Sequence, residues 1–188
     1  MGKIYFTRHG ETITNTKKQV CGAREVELTE NGHKQAIELG EKIKKEIEKG
    51  TMKIDKILYS PLSRAKLTAL HISEITGIKC EEEPLLIERN FGTFEGQSRE
   101  GEEFCESLKN FAMSYGRGIG GESNLKVGQR IYNLLDRLKK ESEERGKSYL
   151  LVAHNGLARI VNTYFYDMGN EEFGSYGIKN CQVIEYEL

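Results

Sequence analysis

The stretch "SYLLVAHNG" spans residues 148–156 and decides the fold. Five apolar residues, Tyr149 to Ala153, run without a polar break. A strand half open to water would alternate, so an unbroken run predicts a strand covered on both faces, as in a parallel sheet. A parallel sheet needs helical crossovers, and the rest of the chain supplies them. Lys3–Thr7 reads as a short strand, followed by a polar loop over Arg8–Glu27. Thr29 is placed to cap a helix whose buried face carries Ala36, Leu39, Ile43 and Ile47, ending at Gly50. Lys56–Tyr59 reads as a second strand. Ser60-Pro61 then predicts a helix start, serine as cap and proline at the first helical position. Ala65, Ala69 and Ile72 form that helix's buried stripe.

Further along, residues 80–96 hold a short extended piece and a Gly-punctuated loop. Residues 100–115 read as weakly helical and 116–123 as a flexible break. Ser123 can cap a long helix with Val127, Ile131, Leu134 and Leu138 on one side. Leu157–Phe165 reads as a helix and Gln182–Tyr186 as a last strand. Strands alternating with helices predict an α/β domain with a mostly parallel sheet. The chain of 188 residues fits one domain, 1–188, with a small inserted lobe or lid around 89–122.

Composition narrows the function. Charged residues are 30% of the chain, yet the net charge is −1 because lysine and glutamate interleave. No basic face is implied, so nucleic acid is not the expected partner. No segment is apolar for long enough to span a membrane. Cys21, Cys80, Cys105 and Cys181 are scattered, with neither a C-x-x-C pair nor zinc spacing. Reduced thiols in a cytoplasmic protein are expected. Gly116, Gly118 and Gly121 match G-x-G-x-x-G but follow no strand, and the "GKS" at 146–148 leads into a strand instead of a helix. Neither reads as a nucleotide site.

In open parallel sheets, ligands bind beyond the carboxyl ends of the strands. Here those ends supply Arg8 and His9, then Ser60 and Arg64, then His154. Glu88 closes a further short extended segment. Two guanidiniums and two imidazoles in one concavity suit a dianion such as phosphate. Arg64, expected in the first turn of its helix, would add N–H groups and the helix dipole. Gly10 is expected to let a ligand approach the main chain. A histidine beside fixed positive charge has a lowered pKa and is a nucleophile near neutrality.

On these residues the chain resembles the histidine phosphatase superfamily, which includes the cofactor-dependent phosphoglycerate mutases. The likeness rests on "TRHGETITN", "GAREVELTENGHKQA", "SPLSRAKLTA", "LIERNFGTFEG", "GES" and "VAHNG", in that order over nearly the whole length. The resemblance implies a three-layer α/β/α fold and catalysis through a phosphohistidine without metal or cofactor. It implies His9 as nucleophile and Glu88 as general acid, with Arg8, Arg64 and His154 on the phosphoryl oxygens. Asn15, Cys21, Gly22 and Asn155 would bind substrate. Departures from the family pattern fall at Thr14, Cys21, Glu25, Glu27 and Asn155, and they bear on substrate shape.

The expectation is a metal-independent phosphomonoesterase for a small phosphorylated metabolite. The competing reading is a phosphoglycerate mutase. Mutases resembling it are longer and carry a basic insertion, whereas 97–122 is short and rich in glutamate. A non-catalytic phospholigand sensor is a third reading, disfavoured because every matching catalytic position is occupied. The only expected partner is the small phosphorylated substrate, with a homodimer left open.

Overall fold

The computed structural model describes residues 2–109 and 120–188. In chain order it has β1 (Lys3–Arg8), α1 (Ile13–Thr16), α2 (Glu30–Glu48), β2 (Lys56–Tyr59), α3 (Ser63–Thr76) and β3 (Cys80–Glu82). Two short 3-10 turns and α4 (Glu102–Lys109) follow, then α5 (Asn124–Arg145), β4 (Tyr149–Ala153), α6 (Asn155–Phe165), α7 (Asn170–Ser175) and β5 (Val183–Glu187).

The strands form one sheet in the order β3-β2-β4-β1-β5. Three neighbouring pairs are parallel, and the last strand, β5, runs antiparallel to β1. All five residues of β4 are buried, as its unbroken apolar run predicts. Successive side chains point to opposite faces. Ile4, Phe6, Tyr149, Leu151 and Ala153 meet Val127, Ile131, Leu134 and Leu138 of α5 and Leu157 and Val161 of α6. Tyr5, Ile57, Leu150 and Val152 meet Leu39 and Ile43 of α2 and Ala65, Ala69 and Ile72 of α3. Helices therefore cover both faces, giving the expected three layers.

Thr29 caps α2 through Gly32 N–H at 3.0 Å and Ser123 caps α5 through Lys126 N–H at 3.2 Å. The expected cap at Ser60 does not form. α3 begins three residues later, at Ser63. Its first N–H is taken by Glu25 Oε2 at 3.1 Å, so a carboxylate from a distant loop does the capping. The polar loop 8–27 also contains α1, closed by a capping box between Thr12 and Asn15. α7 had no sequence signal: it is six residues long and only Phe173 on it is buried.

Phe91, Phe94 and Phe104, between β3 and α5, form a small cluster of their own with Val20 from the loop after α1. The helix expected within 100–115 is seen over Glu102–Lys109. Residues 110–119, which include half of the expected flexible break over 116–123, lie outside the described residues.

Candidate active site

β2, β4 and β1 are neighbours in the sheet, so their carboxyl ends lie side by side. The ladder continues one step past the strands. His9 N–H donates to Ala153 O at 3.0 Å, and Ser60 N–H donates to Val152 O at 3.1 Å. His9, Ser60 and His154 are thereby set at one level of one sheet edge. The rings of His9 and His154 stand 5.3 Å apart, centroid to centroid.

The His9 tautomer follows from its partner. Nδ1 lies 2.7 Å from Gly10 O, and a carbonyl can only accept, so Nδ1 carries the proton. Nε2 keeps its lone pair and accepts from Arg64 Nε at 3.3 Å. Burial, then the charges of Arg64 and Arg8, hold the His9 pKa well below 6.5. The ring is therefore neutral and nucleophilic near neutral pH. His154 is pushed the same way, by burial and then by Arg64 and His9. Its Nε2 meets Ser60 Oγ at 2.7 Å. The same hydroxyl oxygen accepts from Leu62 N–H at 3.4 Å, ahead of the first turn of α3.

Arg64 is 1% exposed, and its guanidinium is held in three directions. Nη1 donates to Arg24 O at 2.8 Å and Nη2 to Gly22 O at 2.7 Å, while Nε faces His9. Arg8 donates from Nη1 to Ile178 O at 3.0 Å. Burial, helped by Arg99 and Arg64, lowers its pKa to about 10, which still leaves it charged at pH 7. Arg8 Nε and His154 Nδ1 are buried and have no partner among the described residues. A tetrahedral oxyanion supplies acceptors for such groups.

Glu88 is 4% exposed. Its Oε2 accepts from Gly156 N–H at 2.9 Å and its Oε1 from Arg89 N–H at 2.8 Å. A Cβ at Gly156 would stand 2.5 Å from Glu88 Oε1, so this carboxylate approach requires glycine. Glu88, Cys21 and Asn155 also line a cavity of about 210 Å³, together with Arg89, Arg99 and Arg159. Arg8, His9, Arg64 and His154 do not line it, but Glu88 interacts electrostatically with Arg8 as well as with Arg89, Arg99 and Arg159.

Several expected substrate contacts have another geometry here. Gly10 is not open to a ligand: a Cβ there would lie 2.3 Å from Gly32 O, so its bareness lets β1 approach α2. Gly22 directs its carbonyl to Arg64 and its N–H to Glu95 Oε2 at 2.9 Å, so its main chain orients the guanidinium. Asn155 Oδ1 accepts from Ile178 N–H at 2.8 Å, tying the 176–181 segment to α6. Asn15 Oδ1 accepts from Thr12 N–H at 3.2 Å and Asn180 Nδ2 at 3.1 Å. Cys21 Sγ lies 3.8 Å from Arg24 O. His33 and His71, read as exposed or helix-packing residues, contact each other at 2.9 Å away from this centre.

Sequence reasoning missed Asn180, which also donates to His9 O at 2.8 Å, and the cavity residues Arg89 and Arg159. A polar residue in an irregular stretch before an edge strand carries no local signal. Arg159 was legible only as a basic residue at helical spacing from Gly156.

The chain matches the description of the histidine phosphatase superfamily (branch 1) over residues 4–188. It is 31% identical to a 2,3-bisphosphoglycerate-dependent phosphoglycerate mutase of Chelativorans sp. (strain BNC1), covering 100% of this chain and 92% of the mutase. It is 26% identical to phosphoserine phosphatase 1 of Hydrogenobacter thermophilus, covering 96% and 84% of the two chains. Among solved structures, a mycobacterial glucosyl-3-phosphoglycerate phosphatase has the same fold, with a TM-score of 0.80, 24% identity and coverage of 98% and 89%. With the match running almost from end to end and the fold agreeing, this chain belongs to branch 1 of the histidine phosphatase superfamily.

Proposed function

We propose that the protein is a metal-independent phosphomonoesterase that works through a phosphohistidine on His9. The carrying observation is the His9 geometry: Nδ1–H is fixed on Gly10 O and Nε2 faces the Arg64 guanidinium. In the first step the Nε2 lone pair forms a bond to phosphorus while the P–O bond to the alcohol breaks. Arg8, Arg64 and His154 neutralise the equatorial oxygens, with Asn15 as a further donor. Glu88, as general acid, gives a proton to the leaving oxygen. In the second step water attacks phosphorus, Glu88 takes a proton from it, and the P–N bond breaks to release inorganic phosphate.

Phosphatases among the relatives support this reading, as does the phosphoserine phosphatase of Hydrogenobacter in particular. Phe91, Arg99, Phe104 and Leu108, from the described part of the expected 89–122 lobe, line the cavity beside Glu88, which this reading takes as the substrate end. The four free thiols suit a reducing cytoplasm. One observation favours a second reading, a phosphoglycerate mutase: the chain is 31% identical to such a mutase over 92% of that protein's length. A mutase would return the phosphoryl group to a bound hydroxyl instead of to water.

A phosphomonoester panel with chelator present tests both. The first reading expects undiminished phosphate release, a trapped acid-labile phosphoenzyme, and loss of more than about 1000-fold in His9→Ala. Retained turnover in His9→Ala, or chelator-sensitive activity, overturns it. Rapid formation of 2-phosphoglycerate from 3-phosphoglycerate and 2,3-bisphosphoglycerate would move the assignment to the mutase.

A further inference from the structure

The cavity next to Glu88 is lined by three arginines and one carboxylate. Two of these arginines matter most. Arg159 is 7% exposed; its Nη1 donates to Gly174 O at 3.2 Å, and its buried Nε has no partner among the described residues. Arg99 donates from Nε to Gln19 O at 2.9 Å. Neither forms a salt bridge among the described residues. Arg89 differs, being held by Glu122 O at 2.8 Å and Asn124 Oδ1 at 2.9 Å. Arg159 and Arg99 both feel the charge of Glu88 in the same cavity but share it with Arg8 and Arg89, so a ligand anion in the cavity would offset the remaining cost of holding these guanidiniums away from water.

Position narrows the ligand. Gly156, which holds Glu88, and Arg159 are three residues apart on α6 and so share a face, roughly 5–6 Å apart at their Cβ positions. Phe91, Phe104 and Val20 give the same cavity an apolar wall. Building on the phosphomonoesterase reading above, we propose that Arg159, with Arg99 in the same cavity, forms an anion subsite. It selects phosphomonoesters whose alcohol half carries a second negative group beyond a short apolar spacer. Arg159 also lies over the Phe173 ring, 5.8 Å from its centroid, and so packs α7 against α6. A test must therefore separate anion recognition from mere packing.

The probes are benzylphosphonate, 4-carboxybenzylphosphonate and the corresponding bisphosphonate, titrated calorimetrically into the intact protein, Arg159→Met and Arg159→Lys. Binding needs no turnover, so the result does not depend on the proposed reaction. The wild type should prefer the two doubly anionic probes by about 10- to 100-fold over benzylphosphonate. The carboxylate and phosphonate arms show which anion fits better. In Arg159→Met the preference should fall close to one, and Arg159→Lys should keep part of it. A wild-type ratio near one overturns the subsite, as does an unchanged ratio in a folded Arg159→Met. Lower thermal stability with the ratio intact would assign Arg159 to packing alone and equally end the proposal. Should Arg159→Met not fold, the wild-type ratio and the Lys variant decide. A normal preference without hydrolysis of any phosphomonoester would leave the subsite standing and sink the phosphatase reading. His9-dependent hydrolysis of phenyl phosphate without preference would do the reverse.

Discussion

Lowering pH from 7.5 to 5.5 should destabilise this protein through two buried rings. His9 is 5% exposed and His154 is 1% exposed, and both have folded pKa values well below 6.5. In the unfolded chain each titrates near 6.5. A depressed folded pKa gives stability that is present above about 6.5 and lost as pH falls toward the folded value. At pH 5.5 the unfolded state holds nearly one extra proton per ring, and the loss is between about 1 and 2 kcal/mol for each, so roughly 3 kcal/mol in all. For a domain of this size that is a fall in Tm of about 6–12 °C. Burial does most to keep these rings neutral, followed by Arg64 from α3 and Arg8 in β1, with Arg99 adding for His9, and His9 itself and Arg130 for His154. His71 is also lowered, chiefly by burial and then by His33, and has the same sign, so the measurement belongs in a His71→Asn background. Thermal unfolding is followed by circular dichroism in buffers of equal ionic strength. His9→Asn and His154→Asn should each remove about half of the slope. A flat Tm between pH 7.5 and 5.5, or a full slope in both variants, would refute the neutral-pair argument.

The same geometry sets three further expectations. Arg64→Lys keeps a charge but loses the fork that reaches Gly22 O and Arg24 O, so kcat/KM for a phosphomonoester should drop about 100- to 1000-fold; a drop below fivefold would count against its role. Glu88→Gln should slow alkyl phosphates by about 100- to 10,000-fold, yet barely affect the phosphoenzyme burst from p-nitrophenyl phosphate, whose leaving group needs no proton; equal loss on both would reject the general-acid assignment. Asn180→Ala removes the amide that joins His9 O to Asn15 Oδ1, and should raise KM about three- to tenfold with kcat less affected; an unchanged KM would separate Asn180 from the site.

The parts of this fold legible in sequence are those where one physical constraint acts on contiguous residues. The apolar run 149–153 had to be a strand covered on both faces, and it is. The stripes on α2 and α5 follow from helical spacing, and the caps at Thr29 and Ser123 from hydroxyls beside unpaired N–H groups. The three strand ends were readable because a parallel sheet sends all its carboxyl ends to one edge.

The misses share a cause: one residue type could satisfy two demands, and long-range geometry chose between them. Ser60 has a hydroxyl that suits a helix start, but the ladder bond to Val152 O sets it beside His154 instead. Glu25 then caps α3 across 38 residues of sequence, a distance over which no local pattern carries information. Gly10 reads as a place for close approach by a ligand, and the family resemblance implies Gly22 as a substrate contact. In the structure the first admits the backbone of α2 and the second orients Arg64. The arginines at this sheet edge are thus aimed largely by main-chain carbonyls, which any sequence possesses, and their long reach hides those targets from sequence. That division explains why the family could be read from the motifs around residues 8, 9, 64, 88 and 154, while the lining of the cavity could not. Arg99 and Arg159, far apart in sequence, line one cavity only because the fold puts them there.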